Sequence, residues 1–152
     1  MTKAIYFDMD GTIADLYEVP NWLPMLRAYD STPYSIAQPK VDMVELSRIL
    51  AILKSNGYTI GVITWLSMGS NKEYDRKVRE AKSEWLKQHI SIEFDEIHMV
   101  KYATPKHIVA KIRKGILVDD NEEVCTQWKK YGGVAIDAKP VTWIEALKTL
   151  VE

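Results

Sequence analysis

The sequence predicts an α/β fold in which a parallel sheet carries helices on both faces, and three observations lead there. Short apolar runs recur at 4–7, 59–63, 97–100, 116–118 and 134–136, and runs without polar alternation suit strands covered on both sides. Stretches with helical spacing lie between them, so strands and helices alternate, as right-handed crossover connections require. The chain has 152 residues, enough for one domain of about 15 Å radius of gyration that buries roughly two-thirds of its unfolded surface. Such a domain needs neither a disulfide nor a structural metal to fold.

After the first strand the pattern breaks. Residues 15–40 hold Pro20, Pro24, Pro33 and Pro39, which interrupt any long element; one short helix over 22–29 is expected, with irregular loop on either side. This reads as an insert within a single domain spanning 1–152. Met43, Val44, Leu46, Ile49, Leu50 and Leu53 then share one helical face, and Asn56-Gly57 ends that helix with residues tolerant of positive φ. Tyr74, Val78, Ala81, Trp85 and Leu86 form the next apolar stripe. Thr104-Pro105 reads as an N-cap followed by proline at the first helical position, opening a helix through Ile108, Val109 and Ile112. A further helix spans 121–131 and closes at Gly132-Gly133, and the last opens at Thr142 with Glu145 completing a capping box.

Composition narrows the function. Lys and Arg number 20 against 21 Asp and Glu, a net charge of −1, which gives no basic stripe for nucleic acid or an anionic membrane. Lys72, Arg76, Lys77, Arg79 and Lys82 alternate with Glu73, Asp75, Glu80 and Glu84, and their i, i+4 spacing reads as a solvated helix face. Cys125 is the only cysteine, and His89, His98 and His107 show no ligand spacing, so no zinc site is proposed. No apolar run approaches the ~18 residues of a membrane span, and the run before Asp8 is too short for a signal peptide. A cytoplasmic domain, monomeric or a small homo-oligomer, is expected.

Chemistry gathers at strand ends. The first strand runs into Asp8-Met9-Asp10-Gly11-Thr12; extended residues two apart point the same way, so Asp8 and Asp10 converge, and two such acids repel unless a cation or shared proton intervenes. Oxygen-only ligands favour Mg²⁺. Gly11 permits a sharp turn whose N–H groups are free to face an anion. The run 116–118 ends in a second pair, Asp119-Asp120, followed by Asn121. A strand end and a helix N-cap explain either pair singly; two strands both ending in paired acids at the carboxyl edge, where open α/β sheets bind ligands, suggest one shared site. Thr64 ends the strand 59–63 in the same position, and Lys106 or Lys101 supplies a cation.

In that order these residues resemble the haloacid dehalogenase (HAD) superfamily. Asp8-Met9-Asp10-Gly11-Thr12 is similar to its D-x-D-G-T motif, Thr64 to the second motif, the lysine to the third and Asp119-Asp120 to the fourth. Within the superfamily the 5′-nucleotidase (deoxyribonucleotidase) branch looks nearest. The resemblance implies a Rossmann-like HAD fold with a minimal cap and a Mg²⁺-dependent phosphatase, a phosphoric monoester hydrolase. Asp8 would be the nucleophile that forms an aspartyl-phosphate, and Asp10 the general acid and then base. An acid at that position fits phosphoester hydrolysis, whereas dehalogenases carry another residue and P-type ATPases a threonine. Mg²⁺ would be held by Asp8, the Asp10 carbonyl and the Asp119/Asp120 pair, with Asp120 preferred. Thr64 and Lys106 would bind phosphoryl oxygens, with Gly11 and Thr12 beside them, and Lys101 stays open as the rival lysine. Any further carboxylate at the metal would be Glu122 or Glu123, a departure from the commonest spacing.

No segment is long enough for a folded cap domain, so an open site is expected, suited to a phosphorylated small molecule or a phosphorylated macromolecule. Tyr17, Trp22, Tyr29 and Tyr34 in the insert and Trp65 after Thr64 make a nucleotide a reasonable substrate, since base–aromatic stacking contributes roughly 1–3 kcal/mol. The same rings would equally pin the insert to the core. A non-catalytic phospho-ligand-binding or interaction module on the same fold is the alternative. A receiver-type signalling domain is set aside, because its phosphorylated aspartate lies on a middle strand, where this chain offers Thr64.

Overall fold

The computed structural model describes residues 3–152; the first two residues of the expected 1–152 domain lie outside it. Five strands, β1 (Ala4–Phe7), β2 (Thr59–Trp65), β3 (Glu96–Val100), β4 (Ile116–Asp119) and β5 (Val134–Asp137), form one sheet in the order β3-β2-β1-β4-β5. Every pairing is parallel. The central β1 is buried at each residue, while the edge strand β5 is exposed at both ends. The apolar runs are continuous for this reason: each central strand needs cover on two faces.

Alternate residues supply that cover. Ile5, Phe7, Ile60 and Val62 face α3 (Met43–Ser55) and α7 (Trp143–Lys148), together with Trp85 and Leu86 near the end of α4 (Lys72–His89). Ala4, Tyr6, Ile63 and Leu117 face α6 (Glu122–Lys130) on the opposite side, where Trp128 stands edge-on to Tyr6 at 5.8 Å. Gly61 has no side chain because a Cβ there would lie 2.7 Å from the Tyr6 ring. On the same face the buried Glu96 accepts from the Tyr6 hydroxyl at 2.7 Å and pairs with His98 at 2.8 Å. Burial alone would raise the Glu96 pKa, but these hydrogen bonds outweigh it and hold the carboxylate ionised.

Local signals succeed and fail in turn. Asp42 caps α3 by accepting from Val44 N and Glu45 N, and Asn121 caps α6 by accepting from Val124 N. The expected Thr104 cap is not made: the Thr104 hydroxyl donates to Lys101 O at 2.6 Å, and the helix that follows, α5 (Lys106–Val109), is a single turn. Thr142 is itself helical and makes no side-chain cap. The insert holds more structure than one helix: a 3-10 turn at Leu16–Glu18, then α1 (Trp22–Arg27) and α2 (Thr32–Ile36). Pro33 lies in the first turn of α2, the one part of a helix that needs no N–H from it. Leu16, Leu26 and Tyr34 pack these turns on Tyr74, Val78 and Ala81 of α4. No helix among the described residues is long and apolar enough to cross a membrane.

Candidate active site

Chain order reverses between β1 and β4: β2 and β3 lie on one side of the pair and β5 on the other. Loops leaving two such strands diverge to opposite faces and open a crevice at the carboxyl edge. Asp8 is the first residue beyond β1, Asp119 the last of β4 and Asp120 the next. The register aligns Phe7 with Val118, and Asp8 N donates to Val118 O at 3.0 Å. One carboxylate oxygen from each of Asp8, Asp119 and Asp120 lies within 4.8 Å of the other two.

Lys106 binds this cluster from the start of α5. Its Nζ donates to Asp8 Oδ1 at 2.9 Å and to Asp119 Oδ2 at 2.7 Å, and the residue is 3 % exposed. Burial alone would lower the lysine pKa; Asp8 and Asp119 outweigh it and raise it instead. Lys101, the rival, is exposed at the end of β3. Asp119 has both oxygens engaged, since Oδ1 accepts from Asn121 N at 2.9 Å. Asp120 is only partly buried, and Thr12 Oγ1 reaches Asp8 Oδ2 at 3.1 Å and Asp120 Oδ1 at 3.4 Å. The pKa values of Asp119 and Asp120 are both raised, first by burial and then by the charge of Asp8.

Three expectations, those for Gly11, Thr12 and Thr64, do not hold. The N–H of Gly11 donates to Ala14 O at 2.8 Å and that of Thr12 to Met9 O at 3.1 Å, so neither is free for an anion. The Thr12 hydroxyl is likewise turned to the acids. The Asp10 side chain stands outside the three-acid cluster, with Oδ2 bound to Lys82 Nζ at 2.9 Å; the metal role expected of Asp10 lies with its backbone carbonyl and not with this carboxylate. Thr64 does not line the cleft: β2 runs on to Trp65, so Thr64 lies inside the sheet, fully buried, and its hydroxyl accepts from Lys82 at 2.6 Å. Gly11 keeps a different necessity. Its φ is +83°, and a Cβ there would run into the Asp120 carboxylate.

The alternating charges place Lys82 on a solvated helix face, yet it is 1 % exposed. The signal lay in the spacing: it follows Val78 by four residues and Ala81 by one, inside the apolar stripe of α4. A charge in such a stripe calls for a buried partner.

A cleft of about 380 Å³ opens above the acids. Asp8, Asp10, Lys106, Asp119 and Asp120 form its polar end, while Tyr17, Trp22, Tyr34, Trp65 and Tyr102 line the rest. Tyr17 meets Trp22 edge-on at 4.9 Å and Trp65 meets Tyr102 at 5.0 Å. Tyr29, the remaining ring of the insert, packs on Tyr74 at 5.4 Å and lies outside the cleft. The three histidines are occupied elsewhere, His89 against Trp85, His98 on Glu96 and His107 stacked on Tyr131 at 3.8 Å.

No family model and no curated relative matches the chain. Solved structures do. A predicted HAD-like family hydrolase from Porphyromonas gingivalis superposes with a TM-score of 0.60 at 11 % identity, covering 100 % of this chain and 98 % of that one. The D,D-heptose 1,7-bisphosphate phosphatase from Burkholderia thailandensis gives 0.54 at 15 % identity, covering 95 % and 85 %. A HAD family enzyme from Bacteroides thetaiotaomicron, crystallised with magnesium and inorganic phosphate, gives 0.52 at 10 %, covering 90 % and 94 %. The chain therefore has the fold of the HAD hydrolases.

Proposed function

We propose that the protein is a Mg²⁺-dependent phosphomonoester hydrolase that works through an aspartyl-phosphate on Asp8. The observation that carries this reading is the meeting of Asp8, Asp119 and Asp120 around one point, with Lys106 bridging Asp8 and Asp119. The donor set fits a hard divalent cation. It offers oxygens alone, and the three acids of the cluster outnumber the one ammonium group paired with them, that of Lys106, by the charge of one such ion. Asp8, Asp120 and the Asp10 carbonyl would hold it; Asp120 is preferred to Asp119 because it is partly open to the cleft where Asp119 is 1 % exposed. When bound, the ion offsets the repulsion between the anionic nucleophile and the phosphate.

The protein's own groups supply the rest. An Asp8 oxygen attacks phosphorus, and the P–O bond to the leaving group breaks as Asp10 gives that oxygen a proton. Asp10 then takes a proton from water, which attacks the phosphoaspartate and frees inorganic phosphate. Burial raises the Asp10 pKa against the opposing pull of Lys82, favouring the protonated form that the first step needs. Lys106 sets positive charge beside the nucleophile as charge spreads over the phosphoryl oxygens. The insert serves as a minimal cap: Tyr17, Trp22 and Tyr34 rim the cleft, and a leaving group with a flat aromatic base, such as a nucleoside, suits that wall. The shared fold of the heptose bisphosphate phosphatase and of the enzyme holding magnesium and phosphate supports the reaction class.

Phosphate release from an aryl phosphate, from nucleoside monophosphates, sugar phosphates and a 5′-phosphorylated oligonucleotide tests the reading. Turnover is expected with Mg²⁺, is lost in EDTA, and falls at least about 10³-fold in Asp8→Asn. Saturable phosphate binding with no turnover on any ester would favour the non-catalytic binding module instead.

A further inference from the structure

We infer that Lys82 is a positioning residue that fixes the Asp10 carboxyl group with one oxygen facing the cleft; the inference rests on the hydrolase reading above. Lys82 Nζ donates to Asp10 Oδ2 at 2.9 Å, to Thr64 Oγ1 at 2.6 Å and to Trp65 O at 2.8 Å. An ammonium has three protons, so all are committed and none is left for a substrate. Two of the three acceptors belong to β2, which anchors the cation to the rigid sheet. The third is the side chain that must reach the leaving-group oxygen. The loop carrying Asp10 thus receives a fixed point from an element 72 residues away in sequence.

The surroundings of Lys82 close the remaining freedom. Its Nζ lies 4.9 Å from the centre of the Tyr34 ring, so α2 of the insert covers the pair from the cleft side. Asp10 keeps 17 % side-chain exposure where Lys82 keeps 1 %. Of the pair, only the acid lines the cleft. An apolar residue at this position would pack at lower desolvation cost than a buried ion pair. What the ammonium adds is direction: it ties one Asp10 oxygen and thereby aims the other. In this arrangement Thr64 serves Lys82 and acts on the leaving group only through Lys82 and Asp10.

A general acid matters most when the leaving group is poor, which gives a signature that mere damage to the fold does not. Lys82→Met, Lys82→Arg and Thr64→Val are compared with the native enzyme on an alkyl phosphate and on an activated nitrophenyl phosphate, with Mg²⁺ present. In Lys82→Met, kcat/KM for the alkyl ester is expected to fall about 100-fold, and for the activated ester by only a few-fold, within the range of general acid catalysis. Lys82→Arg should recover part of the alkyl activity. Thr64→Val, which leaves no buried charge unpaired, should show the same selectivity to a smaller degree if Lys82→Met does not fold. Equal losses on both esters in the folded variants overturn the positioning role while leaving the hydrolase reading intact. Absence of turnover by the native enzyme on either ester overturns both.

Discussion

Asp119 and Asp120 hold their carboxyl groups beside Asp8 in a partly dry setting, so each gives up its proton less readily than an acid in water. In the unfolded chain the same groups ionise near pH 4. Between that point and their raised folded values, the folded state binds more protons than the unfolded one. Stability of the metal-free protein must then fall as pH rises through the window above the ordinary carboxylate range. A divalent cation displaces those protons and reverses the trend. Thermal unfolding in EDTA is expected to show a Tm that declines from about pH 5 toward neutrality, and added Mg²⁺ should raise Tm more at about pH 8 than at about pH 5. A Mg²⁺ increment that is flat across this range would remove the acids from the binding site. Lys106 stays charged throughout, because its partners push its pKa upward.

The helices divide their work by face. α3 packs on the side of the sheet covered by Leu46, Ile49, Leu50 and Leu53, and none of its residues lines the cleft. Its N-cap is therefore a handle on stability alone. Asp42 Oδ1 accepts from Val44 N at 2.9 Å and Glu45 N at 3.1 Å, and Asp42→Ala should cost about 1 kcal/mol in denaturant unfolding with kcat/KM unchanged. α4 has two tasks. Its outer face carries ion pairs such as Arg76 with Glu73 and Glu80, which contribute little in water. Its inner face delivers Lys82 to the site and Trp85 to the core.

Across the whole molecule, the insert is the element whose attachment decides the shape of the cleft. Trp85 Nε1 donates to Ala37 O at 2.8 Å, and the Tyr74 hydroxyl donates to Asp30 O at 3.0 Å; both donors come from α4 and both acceptors from the insert. Trp85→Phe keeps an aromatic ring but leaves the buried Ala37 carbonyl without its donor, a loss of about 1–3 kcal/mol. If the insert sets only the substrate wall, KM should rise several-fold while kcat holds, because the acids stand at the ends of β1 and β4 and Lys106 on α5, all outside the insert. Steady-state kinetics on the best ester of the panel checks this, and a fall in kcat with KM constant would place the insert in the chemical step.

How much of this was legible depends on how local each signal is. The five apolar runs located five parallel strands, most firmly the three central ones, because a strand covered on both faces must be apolar throughout; they missed only the ends, such as the extension of β2 to Trp65. That extension is what withdrew Thr64 from the cleft. The acids after β1 and β4 were readable as candidates, since a carboxylate pair at a buried strand end stands out against its neighbours. Their convergence needed the strand order β2-β1-β4, which no local pattern encodes. Lys82 is the sharpest case. Its spacing after Val78 set it in the apolar stripe of α4, but the partners that receive its charge were decided by the packing of α4 against β2 and the insert, because burial joins residues of separate elements that no local pattern links.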